Sequence, residues 1–137
     1  MGSLSIAYLL GPICRQMEIC DAFSLKRHRV WTHVNNDLGP GIALTLHCKS
    51  AEDDLGEHVL QYHDQGFQFT FRPNVWGVTL FYCSFSWQGG PIHWFNIYDD
   101  NRDDGKSKVF DVRPNGPCEV HDFPPEVCYV WNPPSNV

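Results

Sequence analysis

The chain has 137 residues, with 16 acidic and 10 basic side chains, a formal net charge of -6, 42% apolar residues and 19% charged residues. One modest domain is expected, too apolar and too weakly charged for a disordered chain. The acidic balance argues against nucleic-acid binding, which needs clustered Lys and Arg to neutralise phosphates, and no apolar stretch approaches the roughly 20 residues that span a bilayer.

Residues 4–13 (LSIAYLLGPI) form an apolar run of signal-peptide length, although no Lys or Arg precedes it. Cys20 and Ala22 place small residues at the -3 and -1 positions of a cleavage site after Ala22. Residues 1–22 are therefore read as a signal peptide and residues 23–137 as one secreted domain. Cleavage removes Cys14 and Cys20 and leaves Cys48, Cys83, Cys118 and Cys128. An even count in a small secreted domain points to two disulfides, each contributing roughly 2–4 kcal/mol. No pair has the CxxC spacing of a zinc or redox site.

Residues 30–34 alternate and predict a strand. Residues 35–41 (NNDLGPG) are dense in turn formers. Residues 42–48 alternate again, with Ile42, Leu44, Leu46 and Cys48 on one face. Residues 49–56 (KSAEDDLG) predict an acidic loop, and 59–62 a short strand. Phe67, Phe69 and Phe71 share one face of a strand closed by Arg72-Pro73-Asn74. Residues 77–87 are apolar on both faces for most of their length, as in a central strand. A turn at 88–91 leads into a strand at 92–98, then a charged hairpin loop at 99–106 (DDNRDDGK). Residues 108–112, 119–121 and 127–131 predict further short strands. The fold class is all-β: a single antiparallel β-sandwich of seven to eight strands.

Candidate chemistry is sparse. The loop from Asp99 matches an EF-hand at positions 1, 3 and 5, but places Asp104 where Gly is needed and Phe110 where Glu is needed. It reads as an acidic turn, so no metal is expected. Glu52-Asp53-Asp54 reads as a solvated loop rather than a catalytic pair. His47 and His93 lie in predicted strands and read as partly buried hydrogen-bonding residues. The seven histidines form no HExxH, and no GxSxG or phosphate loop is present. No enzymatic activity and no cofactor are expected. The aromatics Phe67, Phe69, Phe71, Phe81, Phe85, Trp87, Trp94 and Phe95 have a period of two and read as core.

Several stretches, in order, resemble the plant self-incompatibility S-protein homologue family. They are His47-Cys48-Lys49-Ser50 with Asp53-Asp54-Leu55-Gly56, Phe71-Arg72-Pro73-Asn74, and Trp76 through Cys83 (WGVTLFYC). His93 through Tyr98 (HWFNIY), Asn115-Gly116-Pro117-Cys118 and Cys128-Tyr129-Val130-Trp131 continue the likeness, which covers about residues 28–132. The resemblance implies a secreted, disulfide-stapled sandwich of two antiparallel sheets with no enzymatic role. It implies a ligand for a cell-surface protein receptor in cell–cell signalling, acting as a monomer.

Many members carry a further cysteine pair before a Trp; the stretch 105–110 (GKSKVF) has neither. The four remaining cysteines allow three pairings. The favoured one joins Cys118 to Cys128 as a local closure and leaves Cys48 with Cys83. The expected partner-binding residues lie in the loops at 51–57 and 99–106: Glu52, Asp53, Asp54, Asp99, Asp100, Arg102, Asp103 and Asp104. Their carboxylates would favour a basic partner surface. The alternative is an extracellular carbohydrate-binding module, for which exposure of Trp31, Trp87 or Trp94 would speak.

Overall fold

The computed structural model describes residues 27–121 and 125–134. The expected leader, residues 1–22, lies outside them together with Cys14 and Cys20. The alternating stretches form the strands β1 (Val30–Asn36), β2 (Leu44–Lys49), β4 (Phe67–Phe71), β5 (Leu80–Ser86), β6 (His93–Asp99) and β7 (Lys108–Arg113). Two elements depart from the reading of the sequence. β3 (Asp54–Leu60) begins inside the stretch read as loop, and one helical turn, α1 (Asp100–Asp103), replaces part of the expected hairpin loop. Near the C-terminus, β8 (Gly116–Glu119) and β9 (Val127–Cys128) are shorter than periodicity can mark.

Nine strands, not seven or eight, occur among the described residues. They form two sheets of order β4-β1-β7-β8-β9 and β3-β2-β5-β6. Nor are all pairs antiparallel: β1 and β7 run parallel, with Thr32 opposite Lys108 and Val34 opposite Phe110. A parallel pair needs a long crossover. Here the crossover is everything between them, since the chain twice leaves for the other sheet and returns first beside one edge of β1, then beside the other.

The inward faces meet through aromatic rings. Phe69 and Phe71 on β4 lie 5.1 and 4.6 Å from Phe81 on β5, centroid to centroid. Phe95 on β6 stands edge-on to Phe110 on β7 at 5.8 Å. Each such ring contributes about 1.5–3 kcal/mol through burial, and edge-to-face pairing adds to it. Asn36 is buried among them with its amide satisfied: Nδ2 donates to the carbonyls of Ile42 and Leu60, and Oδ1 accepts from Leu38 N–H. That one side chain ties the β1–β2 turn to the end of β3, and an apolar replacement would orphan three backbone groups.

The disulfides join Cys48 to Cys83 and Cys118 to Cys128. Both link directly opposed residues on neighbouring strands, β2 with β5 and β8 with β9. They therefore staple strands within a sheet rather than one sheet to the other. The sheets are tied at the C-terminus instead. Beyond β9, Asn132 N–H donates to the Trp94 carbonyl on β6, and the Trp131 ring lies 5.3 Å from Phe85 and 4.9 Å from His93. Gly116 permits this crossing. Its φ is +144°, and a Cβ there would sit 1.9 Å from the Tyr129 carbonyl oxygen.

The two disulfides close loops of different length, with sequence separations of 35 and 10. Chain entropy assigns them roughly 4 and roughly 3 kcal/mol respectively. Cys48 and Cys83 are also fully buried, whereas Cys128 is exposed. Replacing Cys48 and Cys83 together by Ala is expected to lower stability more than replacing Cys118 and Cys128. Urea unfolding of the two double variants checks this, and the reverse order would refute it.

Candidate functional site

The strand registers put three connections at one end of the sandwich. Lys49 pairs with Tyr82 and Leu80 pairs with Asp99, so the β2–β3 loop, the β4–β5 loop and α1 share that end. Asp100 N–H donates to the Thr79 carbonyl and fixes α1 against the β4–β5 loop. Both acidic segments expected from the sequence thus reach one rim, with the β4–β5 loop between them.

A groove of about 610 Å³ opens at this rim. Ser50, Ala51, Glu52 and Asp53 form one wall, and Asn74, Val78, Thr79 and Leu80 line the other side. Phe71 and Phe81 lie beneath as buried rings. Ser50 shapes the acidic wall, its Oγ accepting from the N–H groups of Glu52 and Asp53. Asp54 closes it: Oδ1 accepts from Gly56 N–H and lies 2.6 Å from His47 Nε2. The bond to His47, then that from Gly56, holds the Asp54 carboxyl below its usual range. His93, by contrast, is stacked against both Trp87 and Trp131, which also meet each other at 6.2 Å.

The β4–β5 loop carries what reading the sequence for polar chemistry missed. Trp76 and Val78 are each 68% exposed, and Val75 is exposed beside them. The backbone holds them there. Asn74 Oδ1 accepts from the N–H groups of Trp76 and Val78, Asn74 N–H donates to Thr79 Oγ1, and Gly77 turns at φ +75°. Such Asx turns present neighbouring side chains on a fixed frame. The signal in the sequence was a large aromatic between two turn formers, Asn74 and Gly77, where no strand period buries it.

The second acidic segment is divided. β6 has a bulge: Tyr82 pairs with Asn96 and Phe81 with Tyr98, leaving Ile97 as the extra residue. Ile97 and Tyr98 are consequently both buried, and the phase of the chain reverses. Asp100 then points inward, accepts from the Tyr98 hydroxyl at 2.6 Å and pairs with Arg27. Burial, with the Asp100 carboxylate second, pushes the Tyr98 phenol above its usual range. Asp99 caps α1, its Oδ1 accepting from Asn101 N–H.

Asp103 is wholly buried. Its two oxygens each lie 2.7 Å from the Arg102 guanidinium, and Lys108 Nζ is 3.6 Å away. Arg102 also donates to the Ile97 carbonyl and lies over the rings of Phe95, Phe110 and Tyr129 at 5.1–5.6 Å. The expectation that Asp100, Arg102 and Asp103 face a partner is thus corrected: the bulge turns them into the protein. Asp104, with its side chain 82% exposed, remains at the surface with Glu52, Asp53 and Asp54.

Among the described residues, Cys118, Glu126 and Cys128 come close enough together to ligate an ion, but both sulfurs are bonded to each other. Trp31 and Trp94 are exposed, whereas Trp87 is half-buried against His93.

The division among the carboxylates is measurable. Asp103→Asn leaves the half-buried Arg102 without its carboxylate partner, while Lys108 keeps Glu119, and is expected to cost about 3 kcal/mol. Asp104→Asn is expected to stay within about 0.5 kcal/mol. Chemical denaturation of both variants checks this, and equal costs would refute it.

Comparison with known proteins accords with this architecture. Residues 32–131 match the family described as plant self-incompatibility protein S1. "S-protein homolog 4" of Arabidopsis thaliana is 43% identical over 108 residues, covering 72% of this chain and 70% of the relative. "S-protein homolog 18" of the same plant is 43% identical over 108 residues, covering 73% and 78%. A solved self-incompatibility protein homologue, from what is described as "a widespread family of small, highly stable, secreted proteins from plants", superposes with a TM-score of 0.53 at 20% identity. The superposition covers 77% of this chain and 96% of that one, and speaks to the fold alone. With the family match extending across both sheets and relatives at this level of identity, the chain belongs to the plant self-incompatibility protein S1 family.

Proposed function

We propose that this protein is a secreted, non-enzymatic ligand that a plant cell-surface protein receptor recognises through the rim formed by the β2–β3 and β4–β5 loops. The observation that carries this reading is Trp76, held exposed on a hydrogen-bonded turn beside an acidic wall. A soluble protein gains nothing in stability from such an exposed ring, and exposed aromatics ringed by polar groups are typical anchors of protein interfaces. Glu52, Asp53 and Asp54, with Asp104 farther along, supply negative charge around it, offset in part by Arg72, which lines the same groove. The partner chemistry this fits is a basic surface with an apolar pocket for the indole.

Secretion is part of the proposal. The solved relative belongs to a family described as secreted, residues 1–22 read as a leader, and two disulfides suit an oxidising compartment. Intact mass of the protein recovered from the medium of a plant or insect host checks it. The expected product starts at Phe23 and gains four thiols only on reduction. A full-length intracellular product with free thiols would refute the extracellular ligand.

Recognition is tested with labelled mature protein on wall-free plant protoplasts. Saturable binding is expected. Trp76→Ala should weaken it at least about ten-fold, Asp53→Asn by less, and neither should move the urea midpoint. Unchanged affinity in both variants would remove the rim from the binding surface.

A further inference from the structure

The outer face of the β3-β2-β5-β6 sheet turns away from the core and meets the rim at Tyr82, which also lines the groove. Strand pairing fixes what it displays. His47, Ser84 and Trp94 lie in one row across β2, β5 and β6, and Tyr82 and Asn96 lie opposite each other in the next row. Trp94 is 48% exposed, and its ring centroid is 6.5 Å from that of Tyr82, the planes tilted by 39°. Asn132 Nδ2 donates to Asn96 Oδ1 at 3.3 Å and fixes that amide beside the two rings. The core aromatics alternate inward along β5 and β6, and these two alternate outward. Trp94 therefore does not serve the core packing that its period of two first implied.

Charge selects the ligand. The centre of this face, from Ser84 to Trp94 and from Tyr82 to Asn96, carries no formal charge. His47, at its margin, already has Asp54 at 2.6 Å. Along the same rows Lys49 lies opposite Tyr82 at the β2 margin, and Asp54 and Glu57 on β3, opposite Lys49 and His47, offset it, so a polyanion meets no net positive charge there. A neutral polysaccharide presents sugar faces of C–H groups and equatorial hydroxyls. It fits two aromatic rings flanked by a serine hydroxyl and an amide. An aromatic ring offers a large rigid contact at little entropic cost, and the polar neighbours orient what it holds.

We propose that the Tyr82–Trp94 face binds a neutral, β-linked plant polysaccharide, each ring stacking on one sugar while Ser84 and Asn96 bond its hydroxyls. This site meets the rim at Tyr82 but centres on Trp94, which does not line the groove, so a protein held on neutral wall glycan through Trp94 would keep Trp76 available.

The test is a titration of the mature protein with cellohexaose, xylohexaose and mannohexaose, read by tryptophan fluorescence and by calorimetry. Hexagalacturonic acid serves as the charged counterpart. At least one neutral hexasaccharide is expected to bind, with an affinity that salt does not change. Trp94→Ala should weaken it at least about ten-fold and Asn96→Ala by less, while Trp31→Ala on the opposite sheet leaves it unchanged. No binding of any neutral hexasaccharide by the wild-type protein would overturn the proposal, whatever the variants do. So would salt-sensitive binding of hexagalacturonic acid alone, or loss of protoplast binding in Trp94→Ala without any glycan affinity to lose. The last result would make this face part of a protein interface.

Discussion

The ion pair between Arg102 and Asp103 is the contact on which the C-terminal half of the fold depends. It is buried, so it exists only because its surroundings complete it. The guanidinium is planar, bonds both oxygens of Asp103 and reaches the Ile97 carbonyl. Its faces lie against Phe95 on β6, Phe110 on β7 and Tyr129 beyond β9. Lys108 adds a second cation, which in turn bonds Glu119 on β8, and Glu119 accepts from the Tyr129 hydroxyl. One desolvated charge thus links α1, three strands and the C-terminal segment. Such an arrangement is tolerated only when nearly every lone pair and proton has a partner. It specifies position more than it adds stability.

That hub explains why a run of carboxylates in the sequence is not a patch of carboxylates on the surface. The bulge at Ile97 reverses the inward and outward phase of β6. Asp100 and Asp103, three residues apart on one turn of α1, then face the interior together. The same reversal leaves Asp104 outside, with φ +48° ending the turn. Recognition chemistry at the rim is left to the β2–β3 acidic wall and to the apolar β4–β5 loop. These two are braced independently, by Ser50 and by Asn74.

The sandwich therefore presents two surfaces of opposite character. The rim is acidic with an apolar tip, and suits a charged protein partner. The outer face of the smaller sheet is aromatic and uncharged at its centre, with charges of both signs at its β2–β3 margin, and suits a neutral polymer. Cys48–Cys83 lies beneath the outer face, on the inward side of the same two strands that display His47, Ser84 and Tyr82. A face read by stacking needs its rings held at fixed spacing, and a cross-strand staple limits the sliding of those strands.

Much of this was legible in the sequence by itself. Period-two alternation placed β1, β2, β4 and β6 within a few residues, because burial of one face writes itself directly into residue order. The ordered likeness to S-protein homologues identified the family. Local order could not reveal the parallel β1–β7 pair, since nothing in either strand encodes which neighbour it meets after the chain has crossed to the other sheet. It found β9 at the start of the predicted strand 127–131 but placed β8 three residues late, at 119–121, because four residues are too few for a period to set bounds. The same holds for the candidate surfaces. Asp103 and Asp104 are adjacent and chemically identical, yet one is buried and the other exposed, and Phe95 and Trp94 divide in the same way between core and outer face. Residue type determined what each could do. Only the tertiary structure decided which of them meets solvent, through the pairing of β6 with β5 for Trp94 and Phe95 and through the bulge beyond it for Asp103 and Asp104, because burial belongs to the packed sheets and not to the residue.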